Sequence, residues 1–254
     1  MIGILTDITK CVGCEKCIQA CQTVNKCEPE RPEQKAHPGE LFDARWTTVV
    51  KRPGAVSPRF VRRHCRHCLK PACVSVCPVG AMQKTAEGPV IYHKNRCIGC
   101  RYCMLACPFG IPRSQWESLA PAIRKCTFCF ERTSTGGKPA CTEACPEGAT
   151  IFGSREELLV EARNRISKSP GRYINKIYGE TDLGGTSVLY LSDINLDFLS
   201  FDKAAGERPA PELSWGFLKE TPVISGAVGL SMGLLYWLWR RKARVAEERK
   251  QRKS

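Results

Sequence analysis

The order of apolar, polar and turn-forming positions predicts short secondary-structure elements over most of the chain. Brief runs of strand-forming residues bounded by Gly or Pro predict two hairpins, one pairing residues 45–50 with 59–63 and one pairing 81–84 with 89–93. Residues 28–39 are rich in proline and charge, which indicates a loop. Elements this short bury little apolar surface by themselves.

One longer helix has a clear start signal. Ser154 followed by Glu157 forms a capping box, in which the serine side chain accepts a hydrogen bond from the backbone N–H three residues on. Apolar residues follow at helical spacing. Residues 155–166 are therefore predicted to be helical.

The composition of the chain changes towards its C-terminus. Residues 223–239 carry no charge, and their number is at the short end of what a membrane-spanning helix requires. Tyr236, Trp237 and Trp239 lie at one end of this run and basic residues follow directly, as at a membrane–water interface. A buried core helix can have the same uncharged length, but these flanking residues favour a membrane span over residues 222–240.

The formal charge of +14 suggests nucleic-acid binding until its distribution is considered. Residues 240–254 hold eight basic residues against two glutamates, so much of the excess belongs to the tail. The figure also counts every cysteine as neutral, whereas metal-bound cysteines are thiolates. Nucleic acid is therefore not predicted as a partner.

Seventeen cysteines are far more than a chain of 254 residues ordinarily carries. Disulfides, zinc sites and iron–sulfur clusters are the competing explanations. Disulfides fit poorly, because the count is odd, many cysteines are three residues apart and the chain is long. Sixteen of the cysteines fall into four runs: Cys11, Cys14, Cys17 and Cys21; Cys65, Cys68, Cys73 and Cys77; Cys97, Cys100, Cys103 and Cys107; Cys126, Cys129, Cys141 and Cys145.

The runs follow the spacing of bacterial ferredoxins, C-x2-C-x2-C-x3-C-Pro. The third run, from Cys97 to Pro108, matches fully, and the first matches except that Gln22 replaces the proline. In this arrangement three nearby thiolates bind one [4Fe–4S] cluster and the fourth cysteine binds its neighbour. Zinc knuckles also use C-x2-C, but seldom in four such runs. The sequence predicts four [4Fe–4S] clusters, which would take over part of the role of a protein core.

The two remaining runs have irregular spacings, with two extra residues between Cys68 and Cys73 and a longer loop between Cys129 and Cys141. With these spacings the chain resembles the four-cluster iron–sulfur (beta) subunits of membrane-bound molybdopterin oxidoreductases and nickel–iron hydrogenases. That family includes formate dehydrogenase beta subunits and HybA-like subunits. The glycine-rich segment at residues 178–191 and the single C-terminal helix extend the resemblance over nearly the whole chain.

The resemblance implies an α+β fold of two pseudo-symmetric bacterial-ferredoxin-like modules with loop insertions, followed by one C-terminal transmembrane helix. The first run would pair with the fourth, and the second with the third. The implied parts are module one at residues 1–27 and 110–153, module two at 28–109, an extension and linker at 154–221, the transmembrane helix at 222–240 and a basic tail at 241–254.

The resemblance also implies which cysteines share a cluster. All sixteen positions are cysteine, so none is altered in the way that yields a [3Fe–4S] centre. The implied ligand sets, numbered I to IV from here on, are Cys11, Cys14, Cys17 and Cys145 (set I); Cys21, Cys126, Cys129 and Cys141 (set II); Cys65, Cys68, Cys73 and Cys107 (set III); Cys77, Cys97, Cys100 and Cys103 (set IV).

These motifs predict a non-catalytic electron-transfer subunit, since the sequence has no pattern for nucleophilic catalysis or dinucleotide binding. The resemblance implies that single electrons pass between a catalytic subunit, of hydrogenase or molybdopterin (formate dehydrogenase) type, and a quinone-linked integral membrane subunit, for which haem b is one option. Module one would face the catalytic subunit and module two the membrane. The alternatives are a membrane-tethered polyferredoxin that serves diffusible redox carriers and a zinc-stabilised basic binding module.

The basic tail bears on where the cluster domain lies. Positive charge beside a span stays cytoplasmic, which places residues 1–221 on the periplasmic side of a bacterial inner membrane. Against this, no basic region or long apolar stretch of an export signal precedes Cys11. Export in complex with a partner that bears a twin-arginine signal would resolve the conflict, and a cytoplasmic domain is the alternative.

Three residues near the runs have no assigned role. Cys27 is left over and is interpreted as a buried or partly buried free thiol. His64 and His67 flank Cys65 and could tune a cluster potential by hydrogen bonding or charge. Histidines in a basic segment more often lie at the surface, which is the competing interpretation.

Overall fold

The computed structural model describes residues 1–35, 37, 39–118, 121–200 and 206–252, so the last two residues of the predicted basic tail lie outside the description. The chain divides into two compact units, Met1–Pro211 and Glu212–Ser254. The strands are β1 (Ile2–Asp7), β2 (Thr48–Arg52), β3 (Arg59–Arg63), β4 (Met82–Lys84), β5 (Val90–Tyr92), β6 (Arg113–Ser114), β7 (Ile123–Arg124), β8 (Thr150–Ser154) and β9 (Val188–Leu191). The α-helices are α1 (Lys16–Val24), α2 (Pro32–Lys35), α3 (Ala72–Ser75), α4 (Tyr102–Leu105), α5 (Phe130–Thr133), α6 (Ala140–Glu143), α7 (Arg155–Lys168), α8 (Ala210–Leu218) and α9 (Thr221–Gln251).

A three-stranded sheet in the order β8-β1-β9 is the scaffold of the first unit. Strand β1 is antiparallel to β8 and parallel to β9, and its Ile4 lies opposite both Phe152 and Val188. All of β1 after Ile2 is buried, because core residues pack on both faces of the sheet. The N-terminal strand, to which sequence analysis assigned no structure, is therefore the central strand of this sheet.

Both predicted hairpins are confirmed. Strands β2 and β3 pair with Thr48 opposite Arg63, and β4 and β5 pair with Met82 opposite Tyr92. A third, shorter hairpin of β6 and β7 precedes the fourth cysteine run. Each hairpin thus ends just before a cysteine run or links one run to the next.

The prediction of a loop throughout residues 28–39 is wrong for Pro32–Lys35, which form the single turn of α2. Proline suits the first position of a helix, where its missing N–H has no intrahelical partner in any case. Gln34 is only 2% exposed, and its side-chain amide donates a hydrogen bond of 2.8 Å to Asp43. The polar composition of this segment indicated a loop, and it did not show that Gln34 faces the interior.

The predicted capped helix is confirmed as α7, which extends two residues past the predicted end. The Ser154 hydroxyl accepts a hydrogen bond from the backbone N–H of Glu157 at 3.2 Å. On the inner face of α7, Leu158 and Ala162 pack in one cluster with Leu5 of the central strand. Burial of this apolar stripe against the sheet, more than helix propensity, holds α7 in place.

The second unit is helical. The region Ala210–Ala246 is long and apolar enough to cross a membrane, and none of its most apolar stretch is buried. The predicted span at 222–240 lies inside α9, and this helix continues to Gln251. The basic tail therefore extends the helix instead of leaving it, and the 31 residues of α9 reach about 46 Å at 1.5 Å per residue.

We expect Asp7→Asn to destabilise the first unit. Asp7 is fully buried at the end of β1, where it accepts hydrogen bonds from the Tyr173 hydroxyl at 2.9 Å and Thr9 and pairs with Arg165 at 3.1 Å. Removing one charge of a buried pair costs about 3–5 kcal/mol, and Arg165 keeps some solvent contact, so we expect a loss of about 2–3 kcal/mol. Glu161→Gln is the matched control, because Glu161 pairs with the same arginine at the surface, where such pairs contribute about 0–1 kcal/mol. Thermal melting followed by circular dichroism compares the two, and equal melting temperatures would contradict the expectation.

Candidate metal centres

The first and third cysteine runs share a backbone conformation. In the first run Gly13 and Glu15 have φ of +72° and +58°, and at the equivalent places of the third run Gly99 and Arg101 have +74° and +62°. Alternation of left- and right-handed residues turns successive backbone N–H groups towards one side, which forms an anion-binding concavity. Each loop then enters a helix at the equivalent residue, Lys16 of α1 or Tyr102 of α4. The sequence repeat is therefore also a structural repeat.

Backbone N–H groups of the loops donate hydrogen bonds to cysteine sulfurs. Ala81 donates to the sulfur of Cys77 at 3.2 Å, and Gly99 donates to that of Cys97 at 3.4 Å. Burial opposes ionisation of Cys77, but its backbone donors outweigh burial and lower the pKa of this thiol. Because iron binds the thiolate, these loops favour the form of the side chain that a cluster needs.

The end of the fourth run folds back onto the first run. The thiol of Cys11 interacts electrostatically with those of Cys14 and Cys145, and Cys17 interacts with Cys11 and Cys14. The same four thiols line one cavity. The strand pairing causes this meeting, because β1 ends just before the first run and its partner β8 begins just after the fourth. The structure thus brings together the side chains of set I.

The last cysteine of the first run lies with the rest of the fourth run. Cys21 interacts electrostatically with Cys126 and Cys141, and Cys126 interacts with Cys129 as well as Cys141. Helix α1 packs against α6, which holds Cys21 and Cys141 on facing elements. Burial raises the pKa of Cys126 to about 12 in the protein without metal, so bound iron must displace a proton there.

The second run gathers a cysteine from the third. Cys68 interacts electrostatically with Cys65, Cys107 and Cys73, in that order of strength. Cys107 is the last cysteine of its own run, and its strongest thiol neighbour is Cys65. Burial dominates this site and raises the pKa of Cys73 to about 12. These are the side chains of set III.

The remaining cysteines of the third run meet the last cysteine of the second. Cys103 interacts electrostatically with Cys97, Cys100 and Cys77. Helices α3 and α4 pack together, and Met82 of the adjoining hairpin lies in the same apolar cluster as Cys77, Cys97 and Cys103. This group coincides with set IV. The assignment of all sixteen cysteines as iron ligands stays a prediction, whereas their grouping is a property of the fold.

Neighbouring thiol groups also interact electrostatically with each other. One thiol of each group interacts with a thiol of the next, so the groups follow one another in the order I, II, III, IV. The connecting pairs are Cys17 with Cys141, Cys126 with Cys65, and Cys73 with Cys103.

The groups suit a multinuclear cluster. All seventeen cysteines are free thiols. Among the described residues, no three His, Cys, Asp or Glu side chains are grouped so that they could hold a single metal ion. The buried Thr6 hydroxyl and one Arg62 nitrogen lack a hydrogen-bond partner within the described part of the chain, and both residues line the set I cavity. The sulfides and thiolates of an iron–sulfur cluster would supply such acceptors.

The surface interpretation of His64 and His67 is wrong, since both are fully buried. The backbone of Arg66 and His67 is hydrogen-bonded to the start of β9. The Ser187 N–H donates to the His67 carbonyl and the Val188 N–H donates to the Arg66 carbonyl, each at 3.2 Å. The Nδ1 atom of His67 accepts a hydrogen bond of 2.8 Å from the backbone of Val90. Burial, and then neighbouring cations, lower the pKa of both histidines, so they are neutral side chains.

Sequence reasoning missed a group of buried cations around the thiols. Arg62, Arg66 and Lys125 are each no more than 2% exposed. The Lys125 ammonium donates to the carbonyls of Val90 and Cys126, and Lys84 is partly buried and donates to the carbonyl of Cys68 at 2.9 Å. A signal was present, because Arg66 and Lys125 each adjoin a cysteine in the sequence.

Cys27 is a partly buried free thiol, as predicted. Burial raises its pKa to about 11, although Arg124 nearby acts in the opposite direction. It lines a small cavity with Asn25, Trp46 and Gln115. None of these neighbours is a cysteine of sets I to IV, so Cys27 lies apart from the four thiol groups in this cavity.

Comparison with known proteins agrees with this geometry. Residues 56–155 match the model of the 4Fe-4S dicluster domain family. A protein of Nitratidesulfovibrio vulgaris is 41% identical over 97% of this chain and 69% of its own length. The hydrogenase-2 operon protein HybA of Escherichia coli O157:H7 is 37% identical over 89% of this chain and 82% of its own. The iron-sulfur subunit of the nitrate-inducible formate dehydrogenase of Escherichia coli K12 is 33% identical over 92% and 78%. This chain belongs to the family of iron–sulfur subunits that includes HybA and the formate dehydrogenase iron–sulfur subunits.

Proposed function

We propose that the chain is the electron-transfer subunit of a membrane-bound oxidoreductase complex and relays single electrons through four [4Fe–4S] clusters held by sets I to IV. The observation that carries this proposal is the sequence of neighbouring thiol groups, in which set I lies near set II, set II near set III and set III near set IV. An electron that enters at one end of such a series has a neighbouring site at each step. The relay requires no catalytic side chain in this subunit.

The protein would supply ligation, insulation and electrostatics. A bound cluster supplies the one-electron chemistry. The sixteen thiolates would hold the clusters, and loop N–H groups such as those of Ala81 and Gly99 would stabilise the thiolates. The β8-β1-β9 sheet holds the first and fourth runs together, and the β4-β5 hairpin links the second to the third. This division into two pairs of runs supports the proposed modules.

The relatives indicate the kind of complex. One is a hydrogenase operon protein and another is a subunit of a formate dehydrogenase, which supports a catalytic partner of hydrogenase or molybdopterin type. Both ends of the series carry exposed apolar side chains that a partner could cover, Val12 beside set I and Ile98 and Leu105 beside set IV. We propose that the set I end meets the catalytic subunit and the set IV end meets a quinone-linked membrane subunit.

We expect sixteen irons and sixteen acid-labile sulfides per chain after anaerobic purification, because each of the four thiol groups would hold one cubane. Iron, sulfide and zinc are measured together on the full chain in detergent. Half this iron content would reduce the relay to two clusters. Stoichiometric zinc with little sulfide would instead support the zinc-stabilised module.

We expect Cys107→Ser to damage the cluster of set III, although Cys107 follows the set IV cysteines in the sequence. The fold places its thiol beside Cys65, so the lost ligand belongs to that group. Electron paramagnetic resonance of the reduced protein should give the same spectral change for Cys107→Ser as for Cys65→Ser. Cys27→Ser is the control and should leave the spectrum unchanged. A change that instead matches Cys103→Ser would show that the pairing is wrong.

We expect the cluster domain to lie in the periplasm and the end of α9 in the cytoplasm, because basic residues beside a single span stay inside. Protease added to intact spheroplasts should digest the cluster domain and leave residues 240–252 protected. Antibodies to each end follow the two parts separately. Survival of the cluster domain until the membrane is permeabilised would reverse this orientation.

A further inference from the structure

Arg62 is buried where the first two ligand groups meet. It lies in β3 opposite Val49 of β2 and is 2% exposed. Its Nε atom donates a hydrogen bond of 3.0 Å to the Thr47 hydroxyl. One terminal nitrogen has no hydrogen-bond partner within the described part of the chain, and the side chain forms part of the wall of the set I cavity. The hairpin thus presents a guanidinium to the cluster site.

The guanidinium acts on thiols of both groups. Its electrostatic neighbours include Cys17 of set I and Cys21, Cys126 and Cys141 of set II. A guanidinium group stays protonated throughout the physiological pH range, so the positive charge is permanent. The charge in turn favours the thiolate forms of Cys11 and Cys129 among others.

We propose that Arg62 is a fixed countercharge shared by the clusters of sets I and II, and that it raises the reduction potential of both. This inference rests on the proposed function. Reduction adds one electron to a cluster that already has a net negative charge, and a nearby cation stabilises the reduced form more than the oxidised form. The electron comes from the neighbouring cluster or redox partner, which is oxidised in the same step. No proton moves and no bond is broken.

A second buried arginine, Arg66, has a different set of neighbours. Arg66 interacts electrostatically with Cys65, Cys68 and Cys107, which all belong to set III. These strongest thiol neighbours belong to one group, whereas those of Arg62 belong to two. Arg62 would therefore favour the presence of an electron on the clusters of sets I and II over the rest of the series.

The test is a redox titration of the full chain in detergent, followed by electron paramagnetic resonance, on Arg62→Gln, Arg62→Lys and Thr47→Asp. Arg62→Gln removes the positive charge and Arg62→Lys keeps it. Thr47→Asp keeps the guanidinium but places a negative charge beside it, which offsets its positive charge. We expect Arg62→Gln and Thr47→Asp to lower the reduced-to-oxidised ratio of the set I and set II clusters at least tenfold at a fixed potential. This corresponds to a decrease of about 59 mV in the reduction potential of each cluster, since one electron is transferred. The other clusters and the Arg62→Lys protein should change much less.

Arg155→Gln is the matched control, because Arg155 is also a buried arginine but its hydrogen bonds go to the carbonyls of Thr186, Gly179 and Glu180. Iron and sulfide are measured on every variant, and a wild-type chain without clusters would overturn both the proposed function and the inference. Full clusters with unchanged potentials in Arg62→Gln would overturn only the inference, as would an equal shift in Arg155→Gln. If Arg62→Gln loses iron, full iron in Arg62→Lys supports the countercharge, and loss in both overturns it in favour of a role in packing.

Discussion

The arrangement of the first unit depends on placing many negative charges inside a protein. A thiolate or an anionic cluster is costly to bury unless fixed dipoles or cations compensate for lost water. Here loop N–H groups point at sulfur, and Arg62, Arg66 and Lys125 are buried beside the thiol groups. The elements between the runs are short because their task is to aim these groups, and the clusters themselves fill space that apolar side chains fill in other proteins.

The sheet explains why runs at opposite ends of the domain share ligand groups. Thr6 of β1 pairs with Thr150 of β8, and the Asp7 N–H donates to the Ala149 carbonyl at 2.7 Å. Only a few residues separate this point from Cys11 on one side and Cys145 on the other. The pairing of β1 with β8 thus brings Cys145 of the fourth run to the cysteines of the first run. Set I is complete only when both strands are in place. Folding of the sheet and assembly of the first two groups are coupled.

Local signals in the sequence were sufficient for the cysteine runs, both hairpins and the capped helix α7. Each depends on residues close in sequence, such as the Ser154 cap. The central position of β1 could not be predicted, because its partners lie about 150 and 185 residues away. The surface interpretation of His64 failed for a similar reason: its neighbours in sequence are basic, and only the tertiary structure shows that Arg62 and Arg66 lie near thiols. The grouping of the cysteines followed from a family resemblance, and strand pairing supplies its physical cause.

The net charge of +14 has a different meaning once these positions are known. Part of the excess lies at the exposed end of α9, directly after the stretch that is long and apolar enough to cross a membrane. Another part is buried with the thiol groups, where it offsets charge that a count of protein residues omits. The buried part is not available to a nucleic-acid partner. A positive formal charge in a cysteine-rich chain therefore measures, in part, the negative charge of the cofactors for which the interior is built.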